Sequence, residues 1–296
     1  MKKGIWFAIG CYVAWGLLPV YWKGLHQVAA LQVIAHRIAW SFILLAIFVF
    51  FTRQWSALRA TLNRRVLLIY TAAAVLLSIN WLTYVWAVNA GYIVETALGY
   101  FINPLLSVLM GVIFLREHLR PWQWLPIGLA ALGVLYLAVA YGSLPWIALT
   151  LAFSFGIYGL VKKTAPLGAL YGLTLETGIL FVPALVYLVY LQFAGQAAFV
   201  NTGALTTSLL IGAGLVTTVP LLMFASAAQR IPLSMMGVLQ YIAPTLQFLI
   251  GVLLYREPFS HSQLIGFGIV WLALLLFWVE GYLASRKMKV QALEVG

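Results

Sequence analysis

Four ionisable side chains lie within or at the edge of long apolar stretches, where a charge is costly and often functional. They are His36, Arg37, Glu95 and Glu176. Such groups can bind a coupling proton or help to open and close a path through a membrane, and we predict one of these roles for them. A structural role is the alternative: Arg37 and Glu176 can anchor their helix ends, and Glu95 suits the N-terminus of a helix.

Amide and aromatic side chains within the apolar stretches form a second candidate site. Asn80 and Tyr84 are one helical turn apart, and Tyr100 and Asn103 are spaced i, i+3 on a common helix face. Because an amide that faces lipid is costly, these side chains should face the protein interior. We predict a substrate-binding cavity that suits a small amphipathic metabolite and is formed by Trp15, Asn80, Tyr84, Tyr100, Asn103, Tyr158, Gln240 and Tyr241.

Motifs for enzymatic chemistry are missing from the sequence. It has no GxxxxGKS/T, no GxGxxG, no HExxH and no cluster of cysteine and histidine, which are the patterns that bind nucleotides or metals. Its acidic residues are six glutamates, with no aspartate. We therefore predict no catalytic residues, no metal site and no cofactor, and we expect that the protein is not an enzyme.

The composition indicates which elements hold these residues. Of 296 residues, 64% are hydrophobic and 8% are charged, and the mean hydropathy is +1.02. Soluble domains carry about 25% charged residues, so we predict an all-α polytopic membrane protein surrounded by the lipid bilayer. The net charge of +11 does not indicate a nucleic-acid partner, because the basic residues lie almost entirely between the apolar runs.

Ten apolar stretches are long enough to cross about 30 Å of hydrocarbon, which needs roughly 20 residues. With the N-terminus inside, every basic residue of the connections except Lys23 and Arg256 falls on the cytoplasmic side. Cytoplasmic loops carry an excess of lysine and arginine, so we predict that both termini are cytoplasmic. The predicted spans are 4–22, 32–51, 66–88, 94–115, 121–141, 144–161, 170–192, 205–229, 233–255 and 262–283.

The two halves of the chain resemble each other at a spacing of 140 residues. ETALGYFINPLLSVLMGVIFLRE (95–117) corresponds to MMGVLQYIAPTLQFLIGVLLYRE (235–257), and we expect the same break near the middle of both helices. Since each half holds five spans, an odd number, the second half must enter the membrane in the opposite sense. Inverted repeats mark secondary transporters, and we predict two five-helix repeats, 1–141 and 142–296, in a single membrane domain.

Two further pairs at this spacing support mechanistic predictions. Pro104 and Pro244 each remove a hydrogen bond from their helix, so we predict that they act as hinges when the two halves move. His36 and Glu176 are also 140 residues apart. Inverted symmetry would place these two side chains at opposite mouths of a shared path.

A family resemblance is present in HRIAWS (36–41), NWLTYVWAVN (80–89), ETALGYFINPL (95–105), GSLPWIALTLAFSFGIYGLVKK (142–163), LET (175–177) and LQYIAPT (239–245). Together these stretches resemble the EamA-type members of the drug/metabolite transporter superfamily. The resemblance implies ten helices in two inverted five-helix repeats, with a central cavity lined by the first, third, fourth, sixth, eighth and ninth. It also implies export of small metabolites from the cytoplasm by alternating access, with amino acids or related compounds as substrates.

Together, these observations predict a secondary active transporter of the bacterial inner membrane that exports small metabolites, such as amino acids or related compounds and drugs. An importer or uniporter of the same solutes fits the sequence as well. A non-transporting membrane sensor or scaffold that keeps the duplicated fold is the alternative from another class. The sequence makes no prediction of the substrate's identity, the coupling ion or the oligomeric state.

Overall fold

The chain folds into helices joined by short connections. The structure is a computed structural model that describes residues 2–90, 92–141, 144–256 and 261–294. These residues form twelve α-helices, one 3-10 turn (Pro121–Gln123) and one π turn (Ile250–Leu254), and no β-strand. The α-helices are α1 (Lys2–Lys23), α2 (Ala30–Phe51), α3 (Trp55–Ala60), α4 (Arg64–Asn89), α5 (Ile93–Leu115), α6 (Trp124–Tyr141), α7 (Trp146–Thr164), α8 (Ala169–Phe193), α9 (Ala204–Ala228), α10 (Leu233–Gln240), α11 (Ile242–Leu249) and α12 (His261–Glu294).

Ten helical segments within the described ranges are long and apolar enough to cross a membrane. The ninth combines α10, α11 and the π turn into one apolar run, Leu233–Leu254. A helix satisfies its own backbone hydrogen bonds, which lipid cannot do, so such segments are stable in a bilayer. The prediction of an all-α membrane protein with ten spans is confirmed.

Large apolar side chains cover the outside of the helix bundle. Phe50, Phe51 and Phe193 are 70%, 77% and 89% exposed. In water, a continuous apolar surface would drive association with other molecules, whereas hydrocarbon solvates it. These exposed faces therefore fit the lipid-facing surface of a multi-pass membrane protein.

The packing of the helices repeats in the two halves. Under the 140-residue correspondence, α1 matches α7, α2 matches α8, α4 matches α9, and α5 matches α10 and α11. Helix α1 packs on α9 as α7 packs on α4, and α2 packs on α9 as α8 packs on α4. Corresponding helices also pack directly on each other: α2 on α8, α5 on α10, and α6 on α12. The repeat in the sequence is therefore also a repeat of helix contacts.

Helices α5 and α10 approach each other closely at Gly237. A Cβ atom at this position would overlap the backbone carbonyl oxygen of Pro104. Because glycine has no Cβ, it allows two backbones to come this near. The crossing of the two corresponding helices therefore depends on a glycine in α10.

The two copies differ where their prolines lie. Helix α5 continues through Pro104 as one helix. In the second copy, Tyr241 separates α10 from α11, three residues before Pro244, and its amide donates a hydrogen bond to the carbonyl of Val238 at 3.4 Å. The prediction of the same break in both copies is therefore wrong. A proline removes one helical hydrogen bond in either copy, but only in the second copy does a turn, at Tyr241, divide the helix.

The ends of the two copies are alike. Arg116 and Arg256 both have a φ of 54°, the left-handed conformation that commonly ends a helix. The next residue, Glu117, accepts hydrogen bonds from the backbone amides of Leu233 (2.6 Å) and Ser234 (2.8 Å). The C-terminal end of α5 thus caps the N-terminus of α10, where a carboxylate is favourable.

Candidate substrate cavity

A cavity of about 370 Å³ lies between helices of the two halves. Its walls are provided by α1, α4, α5, α7 and α9 and by the α10–α11 span, with Arg37 as the one contribution from α2. These six spans are the first, third, fourth, sixth, eighth and ninth, the same set that the family resemblance implies. A cavity of this size holds a small organic molecule.

Six of the eight residues predicted for the cavity lie in its walls. Asn103 and Gln240 are both buried, at 4% and 7% exposure, on the two corresponding helices. The rings of Tyr84 and Tyr100 meet edge to face, with their centroids 5.9 Å apart. The walls therefore combine amides and aromatic rings, and the six are Trp15, Asn80, Tyr84, Tyr100, Asn103 and Gln240.

The structure places Tyr158 and Tyr241 outside the cavity walls, so their assignment to the cavity is corrected. Tyr158 is fully buried behind the wall, where its ring stacks on Phe224 at 5.9 Å and its hydroxyl donates to Glu176. Tyr241 faces away from the cavity, and its hydroxyl donates to the carbonyl of Phe101 at 3.2 Å. In both cases a buried hydroxyl has a protein partner, which satisfies its hydrogen bonding without a ligand.

The amide side chains in the cavity walls form different numbers of hydrogen bonds with the protein. Asn80 donates from Nδ2 to the carbonyl of Leu151 (2.9 Å) and to the hydroxyl of Ser154 (3.0 Å). Gln240 accepts a hydrogen bond from Ser107 at 3.3 Å. By contrast, Oδ1 of Asn103 is buried, and no residue in the described ranges donates a hydrogen bond to it. Buried polar atoms are normally paired, so this oxygen is an exception among the amides of the walls.

Sequence reasoning missed several wall residues, of which Gln247 is the most informative. It donates from Nε2 to the carbonyl of Trp15 at 3.2 Å and lies seven positions after Gln240. That spacing puts the two glutamines on one face of a helix. The periodicity of polar residues in the ninth span was therefore a usable signal for it.

Of the four predicted coupling or gating residues, Arg37 alone lines the cavity. Its Nε donates a hydrogen bond to the hydroxyl of Thr217 at 2.9 Å. The guanidinium carbon lies 4.8 Å from the ring centre of Trp22 and 4.4 Å from that of Trp81. Two aromatic faces and one hydroxyl thus hold the cation at the cavity wall.

His36 and Glu95 are buried away from the cavity walls. The ring of His36 packs on Phe199 at 5.1 Å, and its Nδ1 has no hydrogen-bond partner among the described residues. Glu95 is 2% exposed and accepts the backbone amide of Ile147 at 2.7 Å, in the first turn of α7. Its carboxylate therefore caps a helix of the other half, whereas the sequence suggested a cap of its own helix.

Glu176 lies in a buried ion pair that the sequence did not predict. Its carboxylate accepts from Nζ of Lys162 at 2.6 Å and from the hydroxyl of Tyr158 at 3.0 Å, and both charged side chains are at most 1% exposed. The sequence reasoning counted Lys162 as part of a cytoplasmic connection, because it ended the sixth span at 161. Helix α7 extends to Thr164. Lys162 therefore lies within this helix, one turn after Tyr158, and its side chain is buried in the bundle.

The two predicted hinge prolines occupy different surroundings. Pro244 lines the cavity. Pro104 lines a separate cleft of about 20 Å³ together with Tyr241, between α5, α6, α10 and α12. Their action as hinges stays a prediction. Within the part of the chain that the structure describes, no three His, Cys, Asp or Glu side chains come together in a group that could hold a metal ion.

The fold and the cavity define a multi-pass membrane protein with a solute-sized space between two packed halves. Residues 2–139 match the EamA-like transporter family. The chain is 48% identical over 280 residues to an uncharacterized transporter, YojE, of Bacillus subtilis, covering 93% of both chains. The quoted stretches resemble RarD in particular, and the chain is 42% identical to Protein RarD of Streptomyces exfoliatus, covering 98% of this chain and 92% of that one. It therefore belongs to the EamA-like transporter family, and the predicted resemblance is confirmed.

Other comparisons agree with this assignment. Protein RarD of Escherichia coli is 40% identical over 287 residues, which cover 97% of each chain. A solved crystal structure superposes with a TM-score of 0.67 at 16% identity, covering 93% of this chain and 97% of the other. At that identity the superposition shows a common fold. The relatives are named as transporters or as RarD, so the chain is placed among membrane transporters.

Proposed function

We propose that the protein is a secondary active transporter that exports small metabolites, such as amino acids or related compounds and drugs, across the bacterial inner membrane. The observation that carries this proposal is the cavity of about 370 Å³ between the two halves, with amide and aromatic walls. Transport moves a solute without changing its bonds, so it requires a binding site and a conformational change and no catalytic group. The protein is accordingly not an enzyme.

Alternating access is the mechanism we propose. Two inverted five-helix repeats, 1–141 and 142–296, would rock about the cavity, with Pro104 and Pro244 as hinges. The matching helix contacts of the two halves support the repeat. The odd number of spans per half and the distribution of lysine and arginine support the inversion and the cytoplasmic placement of both termini.

Proton coupling or gating by His36, Arg37, Glu95 or Glu176 is part of the same proposal. Glu95 and Glu176 already have buried protein partners, so a proton could bind there only if those contacts opened during the transport cycle. His36 is 5% exposed, and no described residue forms a hydrogen bond with its Nδ1. Transport in liposomes with and without a pH gradient tests coupling directly, first in the unaltered protein and then in His36→Gln.

The cavity is tested with purified protein in liposomes. A thermal-shift panel of amino acids and chloramphenicol selects a stabilising compound, whose radiolabelled form is then followed in counterflow. Replacing Asn103 or Tyr84 by alanine removes a wall group and should lower uptake at least tenfold while the protein stays folded. Matched controls are Asn201→Ala and Tyr190→Ala, since Asn201 is exposed and Tyr190 is 63% exposed on the outer face; these variants should transport normally.

Each outcome of this experiment separates the alternatives. Unchanged uptake in both wall variants would contradict the cavity assignment. Binding without flux of any compound in either direction would favour a sensor or scaffold. Counterflow that ignores a pH gradient would indicate a uniporter, and uptake directed into the cytoplasmic compartment would indicate an importer.

A further inference from the structure

Among the residues that the structure describes, one residue of the cavity walls has a permanent charge. Arg37 is that residue, and the other wall residues are apolar, aromatic or amide side chains. The cavity is therefore a largely apolar space with one positive charge at its edge. The net charge of the cavity determines which solutes bind in it, because a desolvated charge interacts strongly with an opposite charge.

No carboxylate of the described residues neutralises Arg37. A guanidinium has five N–H donors, and its one hydrogen bond within the described ranges is from Nε to Thr217. The ion pairs in the same ranges are Arg120–Glu280 and Lys162–Glu176, which leave Arg37 out. The faces of Trp22 and Trp81 partly replace the water that the cation has lost, but neither carries a negative charge.

A guanidinium in this position suits an anionic ligand. Its planar fork can form two parallel hydrogen bonds to a carboxylate, which are among the strongest that proteins make. Arg37 thus lines a cavity within a membrane span and has no counter-ion among the described residues. Ionisable residues in such positions commonly mark a path or a site for a ligand.

We propose that Arg37 binds the carboxylate of an amphipathic organic anion in this cavity, an inference that rests on the proposed function and deepens it. One positive charge matches one negative charge, so a monocarboxylate fits better than a phosphate dianion, which would keep an unpaired charge. The aromatic walls around Trp15 and Tyr84 receive the apolar body of the solute.

The first test uses matched acid and amide pairs with the full chain in detergent. Indole-3-acetate is compared with indole-3-acetamide, phenylacetate with phenylacetamide, and tryptophan with tryptophanamide, by thermal shift and by calorimetric titration. The carboxylate member should bind about tenfold to a hundredfold more tightly in at least one pair, the effect of a hydrogen-bonded charge. Equal affinities within every pair, or no binding of any member, would overturn the proposal.

Variants of Arg37 test whether the preference for the acid over the amide comes from this residue. In Arg37→Gln the preference for the acid should fall to less than threefold, while Arg37→Lys should keep part of it because the charge remains. A purely structural Arg37 predicts equal losses for acid and amide in Arg37→Gln. If that variant does not fold, the acid preference of the unaltered protein still decides the proposal, and Arg37→Lys supplies the second measurement.

Inorganic anions test whether the site binds any anion or a carboxylate in particular. Chloride and inorganic phosphate, each at the concentration at which the carboxylate saturates, should not protect the protein against thermal unfolding. Equal protection by either ion would overturn the assignment to a carboxylate. Flux of a neutral solute with no acid preference would overturn this inference and keep the transporter, whereas carboxylate binding without flux would support Arg37 and contradict transport.

Discussion

The hydroxyl of Tyr241 donates a hydrogen bond of 3.2 Å to the backbone carbonyl of Phe101, and the two rings lie 6.4 Å apart. These residues occupy the same position in the two copies, 140 residues apart. The corresponding helices therefore meet where their sequences correspond. Beside this contact, Tyr100 and Gln240 form another corresponding pair, and both line the cavity. The two halves thus offer different side chains to a solute from equivalent places.

Replacing Tyr241 by phenylalanine should lower stability and leave substrate affinity unchanged. The hydroxyl bonds Phe101 and not the cavity, and a hydrogen bond contributes about 1 kcal/mol to the free energy of unfolding. Tyr100→Phe serves as the comparison, because Tyr100 lines the cavity and its variant should bind the substrate less tightly. Chemical unfolding in detergent and ligand titration measure the two quantities. A weaker affinity in Tyr241→Phe at unchanged stability would place its hydroxyl in the binding site.

Breaking the buried ion pair of Lys162 and Glu176 should destabilise the protein strongly. Glu176→Gln leaves a buried ammonium without its counter-ion, which costs about 3–5 kcal/mol. Adding Lys162→Met to this variant removes the unpaired charge and should recover most of the loss. Unfolding in detergent measures both variants. A mild effect of Glu176→Gln together with a loss of pH-driven transport would instead assign Glu176 to coupling.

Replacing Gly237 by alanine should weaken the crossing of α5 and α10. The added methyl group would overlap the carbonyl oxygen of Pro104, and backbone atoms cannot move aside as a flexible side chain can. We expect a loss of about 1–3 kcal/mol, as for other overpacked sites. Gly128→Ala is the matched control, since Gly128 also lies inside a helix, and no described atom beyond its chain neighbours and its own helix backbone lies within 4 Å of an added Cβ. Equal stability of the two variants would contradict the close crossing.

Glu117→Gln should destabilise the start of α10. The carboxylate accepts the amides of Leu233 and Ser234 and the hydroxyl of Ser234, and a cap of this kind contributes about 1–2 kcal/mol. Glu280→Gln is the control: Glu280 pairs with Arg120, which is 42% exposed, so its loss should cost at most about 1 kcal/mol. Hydrogen exchange of the first turn of α10 reports the cap locally. No faster exchange there in Glu117→Gln would show that the carboxylate is dispensable.

The residues of the candidate site were predictable where the evidence lay in the spacing of residues within a single helix. Asn80 and Tyr84, one turn apart in an apolar span, and the stripe of Tyr100 and Asn103 all line the cavity. Helical spacing alone brings each pair onto a common face, and the cost of a lipid-facing amide turns that face inward. Tyr158 shows the limit of this reasoning, because it was predicted to line the cavity and its actual partner is Glu176, on another helix.

The sequence by itself determined the membrane class, the ten spans and the 140-residue repeat. These follow from hydropathy and length, which act along the chain and need no knowledge of contacts. Only the tertiary structure decided the partners of the charged groups: Lys162 for Glu176, the first turn of α7 for Glu95, and no carboxylate among the described residues for Arg37. The energy of a buried charge depends on what lies within a few ångströms of it, and those neighbours come from helices far away in the chain.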